Sequence, residues 1–175
     1  MMSLIYVFWM YVLVFAIIGM LRGWAKELLV SFSVIVAVAF NTLLHEFAPV
    51  VKGLPESDPT LFGIRAAVLV TLVYFGYQTV VSVARLQAGG RRERLQDSLF
   101  GFFLGAVNGY LIAGTLWFYL DKAQYPWPTV VSAPTGNLLT QVTTIMNYMP
   151  PHLLGSPGIY FALVIVLIFI LVVYV

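Results

Sequence analysis

The sequence predicts an all-α integral membrane protein, a bundle of four to five transmembrane helices with a short amphipathic helix at the membrane surface. Of its 175 residues, 61% are hydrophobic and only 9% are charged, against about 25% charged residues in soluble domains. Mean hydropathy is +0.96. A spanning helix needs about 20 predominantly apolar residues, and short polar breaks divide this chain into several runs of that kind. Lipid is therefore the expected solvent of most of the chain.

The first two spans are predicted at residues 2–20 and 28–44. The first begins with Tyr and Trp side chains, which are typical of the membrane–water interface. Gly23 lies in the short polar break between the two runs. Because glycine tolerates backbone conformations that other residues avoid, a tight hairpin is expected there. Pro49 is expected to stop the helix soon after the second span.

The next two spans complete a four-helix membrane core over residues 1–122. Residues 50–60 contain prolines and charges that predict a loop, and a third span is predicted at residues 64–83. A strongly charged stretch follows the third span and cannot lie in lipid. Asp97 or Ser98 is expected to N-cap the fourth span.

The rest of the chain predicts two further segments. Residues 123–157 contain six prolines and are expected to form an extracytoplasmic segment, with an amphipathic helix at about 137–149 whose polar face is uncharged. Such a helix suits the membrane surface or the underside of a partner. Residues 158–175 are almost purely aliphatic and aromatic, which predicts an additional apolar helix that is long enough to span if it is straight.

The distribution of basic residues predicts the orientation. The first and third connections share one side of the membrane and contain Arg22, Lys26, Arg85, Arg91, Arg92 and Arg94, whereas the other connections contain only Lys52 and Lys122. Short cytoplasmic loops are enriched in Lys and Arg. We therefore expect the N-terminus outside, and the C-terminus inside if there are five spans.

Glycines recur along one face of the predicted fourth span. Gly101, Gly105 and Gly109 are spaced by four residues, with Asn108 among them and Gly114 beyond. Small residues at this spacing allow two helix backbones to approach closely in lipid. We predict a helix-packing face, used either within this chain or for oligomerisation or docking onto another protein. Asn108 is expected to form a hydrogen bond across that contact.

Arg65 is a basic residue about one turn inside the predicted third span. Its side chain is expected to extend to the outer headgroups or to Glu56 and Asp58, although an intramembrane charge is also a functional candidate. His45 and His152 lie at predicted membrane boundaries without a partner at ligand spacing. We therefore predict no metal and no cofactor.

Several functional classes find little support in the sequence. The seven carboxylates are expected in loops or at helix ends, away from the apolar spans, and no nucleophile motif is present, so we predict no enzymatic activity. A net charge of +2 gives no basic surface for nucleic acid. Cysteine is absent. A transporter would be expected to have more polar residues at the bilayer midplane.

Two segments resemble the bacterial colicin V production (CvpA-type) family. Residues 19–29 contain an Arg-Gly hairpin followed by a basic residue and Glu-Leu-Leu, and residues 95–109 enter a glycine-rich helix from a basic loop. The resemblance covers residues 1 to about 122. It implies an inner-membrane protein linked to colicin V export and envelope homeostasis, with no established enzymatic activity. The aliphatic run at 158–175 departs from the family pattern.

These observations favour a non-catalytic accessory or scaffold component of a bacterial membrane assembly. Its expected partners are the lipid bilayer and either other integral membrane subunits or further copies of itself. A component of an export channel is one alternative. A subunit of a quinone- or pigment-containing electron-transfer complex is another, suggested by an aromatic content of 15%.

Overall fold

A computed structural model of the protein describes residues 4–78 and 91–174. The described residues are 81% helical and contain no strand. The predicted fold class, an all-α membrane protein, is therefore confirmed.

Eight helices follow one another along the described chain. Their bounds are α1 Leu4–Arg22, α2 Trp24–Phe47, α3 Pro49–Lys52, α4 Pro59–Gln78, α5 Arg91–Lys122, α6 Asn137–Met146, α7 Pro150–Leu153 and α8 Gly158–Tyr174. Four of these, α1, α2, α4 and α5, are long and apolar enough to cross a membrane. Helix α8 is a shorter apolar helix, so whether it forms a fifth span stays a prediction.

The connection between α1 and α2 is a single residue, Gly23. Its φ is +88°, a conformation in which a Cβ is unfavourable. The N–H of Gly23 donates to the carbonyl of Gly19 at 3.0 Å, and α2 begins at the next residue. The tight hairpin expected from the sequence is confirmed, with a turn shorter than the predicted polar break.

The predicted start of the fourth span is wrong. Helix α5 begins at Arg91, so Asp97 and Ser98 lie inside the helix and do not cap it. Residues 91–96 are Arg, Glu, Leu and Gln, which are strong helix formers although they are charged or polar. The Asp97 carboxylate instead accepts a hydrogen bond from the N–H of Trp24 at 3.0 Å. It therefore caps α2, a different helix.

The third span also begins earlier than predicted. Helix α4 starts at Pro59, and proline suits the first position of a helix because its missing N–H would have no partner there. The Asp58 carboxylate accepts from the N–H of Thr60 at 2.7 Å and acts as a local cap. Part of the predicted loop is the short helix α3.

The chain forms two compact units, and α2, α4 and α5 each contribute to both. Unit 1 comprises Met1–Val34 and Leu72–Ala113, and unit 2 comprises Ile35–Thr71 and Gly114–Val175. Buried apolar side chains of unit 1 include Phe8, Ala16, Val30 and Val34; those of unit 2 include Leu61, Leu69, Met149 and Ile159. The division at residues 122 and 157 expected from composition stays a prediction.

Candidate functional site

In unit 1, the glycine face of α5 lies directly against α1. A Cβ added at Gly105 would stand 2.9 Å from Cα of Gly19 and 3.1 Å from Cα of Ala16, and one added at Gly109 would stand 2.8 Å from Cα of Val12. A Cβ at Gly101 would collide with the backbone carbonyl of Gly19. The two backbones are in contact at these positions, so any side chain would separate the helices.

Gly114 does not take part in the contact between α5 and α1. It belongs to unit 2, where an added Cβ would stand 2.9 Å from both Sδ of Met149 and Cδ of Pro150. The five residues predicted to pack helices, Gly101, Gly105, Gly109, Asn108 and Gly114, therefore divide between two environments. The functional importance of that face stays a prediction.

Asn108 forms hydrogen bonds with α2 inside unit 1. Its Nδ2 donates to Oε2 of Glu27 and to the Glu27 backbone carbonyl, each at 2.8 Å. Its Oδ1 accepts from the hydroxyl of Ser31 at 2.7 Å. Asn108 and Glu27 have no exposed surface, so these polar groups depend on each other for hydrogen bonding.

Arg22 supplies the positive charge of this cluster. Its Nη1 lies 2.7 Å from Oε1 of Glu27, and its Nη2 donates to the backbone carbonyl of Tyr77 at 3.0 Å. The guanidinium carbon stands 4.2 Å from the centroid of the Tyr77 ring. Because each Glu27 oxygen has a partner, the buried carboxylate is neutralised by an ion pair and stabilised by hydrogen bonds. We call Arg22, Glu27, Ser31 and Asn108 the Glu27 cluster.

The Glu27 cluster corrects one expectation from the sequence. All seven carboxylates were expected in loops or at helix ends, away from the apolar spans, but Glu27 lies fully buried in the first turn of α2 and binds a side chain of the spanning helix α5. The hairpin is only one residue long, so α2 begins early enough to include Glu27. A signal was available, since Glu27 and Ser31 share one helix face at i, i+4 and Arg22 lies just before the turn.

The other residues predicted to set the orientation take no part in the Glu27 cluster as defined here. Lys26 is half-buried and Arg94 is exposed. Arg91 and Arg92 begin α5, and Arg85 lies outside the described residues. The orientation inferred from them stays a prediction.

In unit 2, Arg65 forms a bidentate ion pair with Glu56. The distances are 2.7 Å from Nη1 to Oε2 and 2.9 Å from Nη2 to Oε1, and the Arg65 side chain is only 11% exposed. The hydrogen bonds from Arg65 hold the pKa of the Glu56 carboxyl below its ordinary value of 4.5. Glu56 is one of the two carboxylates that the sequence suggested as a partner, and Asp58 caps α4 instead.

A cavity of about 430 Å³ adjoins this ion pair in unit 2. Its lining combines charged, polar and apolar side chains, namely Val38, Asn41, Thr42, His45, Glu46, Glu56, Arg65, Phe118, Tyr119, Lys122 and Pro151. The sequence singled out four of these residues, each by itself: His45, Glu56, Arg65 and Lys122. It gave no sign that α2, α4, α5 and α7 bring them together.

Two residues that line this cavity each have a buried hydrogen-bonding atom without a partner among the described residues: Oδ1 of Asn41 and Nδ1 of His45. Asn41 is 3% exposed, and its Nδ2 donates to the backbone carbonyl of Arg65 at 3.1 Å. Nε2 of His45 lies 3.5 Å from Oε1 of Glu56. Within residues 4–78 and 91–174, no group of three His, Cys, Asp or Glu side chains is placed to hold a metal ion.

The four helices that are long and apolar enough to cross a bilayer define a polytopic α-helical membrane protein. The chain belongs to the colicin V production protein family, whose model matches residues 6–133. The resemblance noted in the sequence is thereby confirmed, and the match ends before α6. Together with the spanning helices, membership of this bacterial family indicates an inner-membrane protein. No curated protein and no solved structure matches the chain.

Proposed function

We propose that this protein is a non-catalytic accessory subunit of a bacterial membrane assembly, and that α8 is the helix through which it docks. The observation that carries the proposal is the exposure of α8. Among its described side chains only Ile159 and Val166 are buried, whereas large apolar side chains are exposed around much of the helix. These are Phe161, Val164, Ile165, Leu167, Ile168, Phe169 and Leu171.

The glycine face supports this choice of surface. In unit 1 the backbone contact along Gly101, Gly105 and Gly109 is already made with α1, so that face is not open to a partner. Helix α8 lies beyond residues 6–133, the part of the chain that matches the family. Together with α6 and α7, it belongs to the part of the chain through which this member can differ from its family in what it binds.

The chemistry of α8 specifies the kind of partner. Its exposed side chains are aliphatic or aromatic and carry no charge, and in lipid such surfaces associate through close side-chain packing. The partner that fits is an apolar transmembrane helix of another integral membrane protein. The Glu27 cluster supports the non-catalytic role, because both oxygens of its buried carboxylate are already bonded and neither is free to act as a general base.

A crosslinking pair tests the docking helix in intact cells. A photoreactive residue at Ile165 on α8 is compared with one at Phe103 on α5, since the two side chains are 65% and 59% exposed. We expect protein adducts from Ile165 and only lipid adducts from Phe103. Adducts restricted to lipid at both positions would contradict docking through α8, and adducts only with further copies of this chain would contradict a different subunit as the partner.

We also infer an orientation with the N-terminus outside. The basic residues of the described chain that support it are Arg22, Lys26, Arg91, Arg92 and Arg94, against Lys52 and Lys122 on the other side. If α8 crosses the membrane, the C-terminus is then inside.

A further inference from the structure

The cavity of unit 2 has the features of a ligand site that an accessory docking role leaves unexplained. We propose that it binds the zwitterionic headgroup of a phospholipid, with an ammonium group at Asn41 and His45 and a phosphate at Lys122. This inference does not depend on docking through α8. It rests on two buried acceptors, a balanced set of charges and an apolar wall.

Asn41 and His45 each supply one buried atom without a described partner. Because Nδ2 of Asn41 already donates to the carbonyl of Arg65, the atom left without a described partner is the acceptor Oδ1. Nε2 of His45 faces the Glu56 carboxylate, which places the hydrogen of a neutral imidazole on that nitrogen and leaves a lone pair on Nδ1. Asn41 and His45 are four residues apart in α2 and therefore share one face.

Oδ1 of Asn41 and Nδ1 of His45 would both be satisfied by a ligand that donates hydrogen bonds. A buried acceptor without a partner is unfavourable by about 1–3 kcal/mol, and an ammonium group offers three donors. The Glu46 carboxylate lines the same cavity and adds a negative charge that an ammonium group would meet.

The charges of the cavity select a zwitterion over a simple anion or cation. Arg65 and Glu56 neutralise each other through their bidentate ion pair. With a neutral His45, what remains is one cation, Lys122, and one anion, Glu46. A ligand carrying one positive and one negative group complements this set, whereas a purely anionic headgroup would leave Glu46 facing a like charge.

The apolar wall and the position favour a lipid as the source of that headgroup. Val38, Phe118 and Pro151 line the cavity beside the charged groups, and a volume of about 430 Å³ is within the range of small-molecule sites. His45 and Glu46 lie in the last turn of α2 and Lys122 ends α5. Both positions are ends of spanning helices, where headgroups are found.

The test is a lipid titration of the purified, delipidated full chain in detergent, followed by native mass spectrometry. The probes are phosphatidylethanolamine, phosphatidylglycerol with the same acyl chains, and water-soluble phosphoethanolamine. We expect phosphatidylethanolamine to bind about tenfold more tightly than phosphatidylglycerol, since loss of a charge-assisted hydrogen bond changes affinity by about that factor or more. We also expect it to bind more tightly than phosphoethanolamine, which has the same charged groups but lacks acyl chains to bury against apolar surface.

Variants locate the site. We expect Lys122→Gln and His45→Leu each to weaken phosphatidylethanolamine binding about tenfold. Lys122 is exposed, so Lys122→Gln is expected to fold. The matched controls are Lys52→Gln and His152→Leu, which alter exposed residues outside the cavity lining and should leave binding unchanged.

Three outcomes would overturn the inference. Equal binding of the two lipids would contradict selection of a zwitterion. Equal losses in the control variants would contradict this cavity as the site. Equally strong binding of soluble phosphoethanolamine would contradict a lipid as the source of the headgroup. None of these outcomes depends on the result of the crosslinking experiment on α8, so the two proposals can fail separately.

Discussion

Glu27 is a carboxylate with no exposed surface in the first turn of an apolar helix. A lone buried charge is strongly unfavourable, but Arg22 and Asn108 each bind one of its oxygens. Breaking a buried pair by removing one partner destabilises a protein far more than the pair stabilises it. The Glu27 cluster therefore makes the packing of unit 1 sensitive to single substitutions.

Replacing Asn108 tests that sensitivity. Asn108→Leu removes the donor to Oε2 of Glu27 and the acceptor of the Ser31 hydroxyl. We expect a loss of about 1–3 kcal/mol in the free energy of unfolding, the typical effect of leaving a buried polar group without its partner. Thermal unfolding in mild detergent, followed by circular dichroism, measures the change.

The matched control for this prediction is Asn147→Leu, since Asn147 is exposed at the end of α6. It should change stability by less than about 0.5 kcal/mol. Equal stability of Asn108→Leu and the wild type would show that the cluster contributes nothing to the folded state.

At this scale the sequence predicted the residue types better than their partners. It indicated that Asn108 would bond across a helix contact and that Arg65 would extend toward Glu56 or Asp58. It missed Glu27, because that carboxylate binds an amide 81 residues away, and hydrophobic periodicity carries no information on such distant pairs. The cavity was missed for the same reason, since its lining comes from four helices and from the loop that contains Glu56.

At the scale of helices, α1 and α5 approach so closely that substitution of one glycine is expected to separate them. Gly105→Ala places a methyl group against the backbone of Gly19 and Ala16. We expect destabilisation of about 1–3 kcal/mol, the usual effect of overpacking. The measurement is again thermal unfolding in detergent.

Gly63 provides the control, because it lies in α4 and an added Cβ there meets nothing within 4 Å. Gly63→Ala should leave stability unchanged or raise it by up to about 1 kcal/mol, since alanine favours the helix. If both substitutions had the same effect, helix propensity rather than close packing would explain the result.

The existence of the spanning helices was predictable, but several of their ends were not. Length and hydropathy are sufficient to predict a span, and α1, α2, α4 and α5 all lie where apolar runs predicted them. Asp97 shows why the ends fail. Its residue type and position suggested an N-cap for its own helix. Its carboxylate instead accepts a hydrogen bond from the N–H of Trp24, which lies in α2, 73 residues earlier. Local rules cannot detect a cap supplied by a distant segment.

At the scale of the whole molecule, the absence of cysteine makes the orientation directly measurable. Single cysteines introduced at exposed positions are the only thiols in the chain. We expect Lys52→Cys to react with a membrane-impermeant maleimide in intact spheroplasts, and Arg94→Cys to react only after permeabilisation, because basic loops stay in the cytoplasm. The reverse pattern would contradict the inferred orientation.

The separation of Glu27 and Asn108 by 81 residues also sets an order of events during synthesis. A ribosome adds about 5–20 residues per second, so the acid is made roughly 4–16 s before the amide that binds it. Arg22 is made just before Glu27. When the hairpin of α1 and α2 has been synthesised, Glu27 therefore already has its ionic partner, Arg22. Its amide partner, Asn108, becomes available only after that part of α5 has been translated.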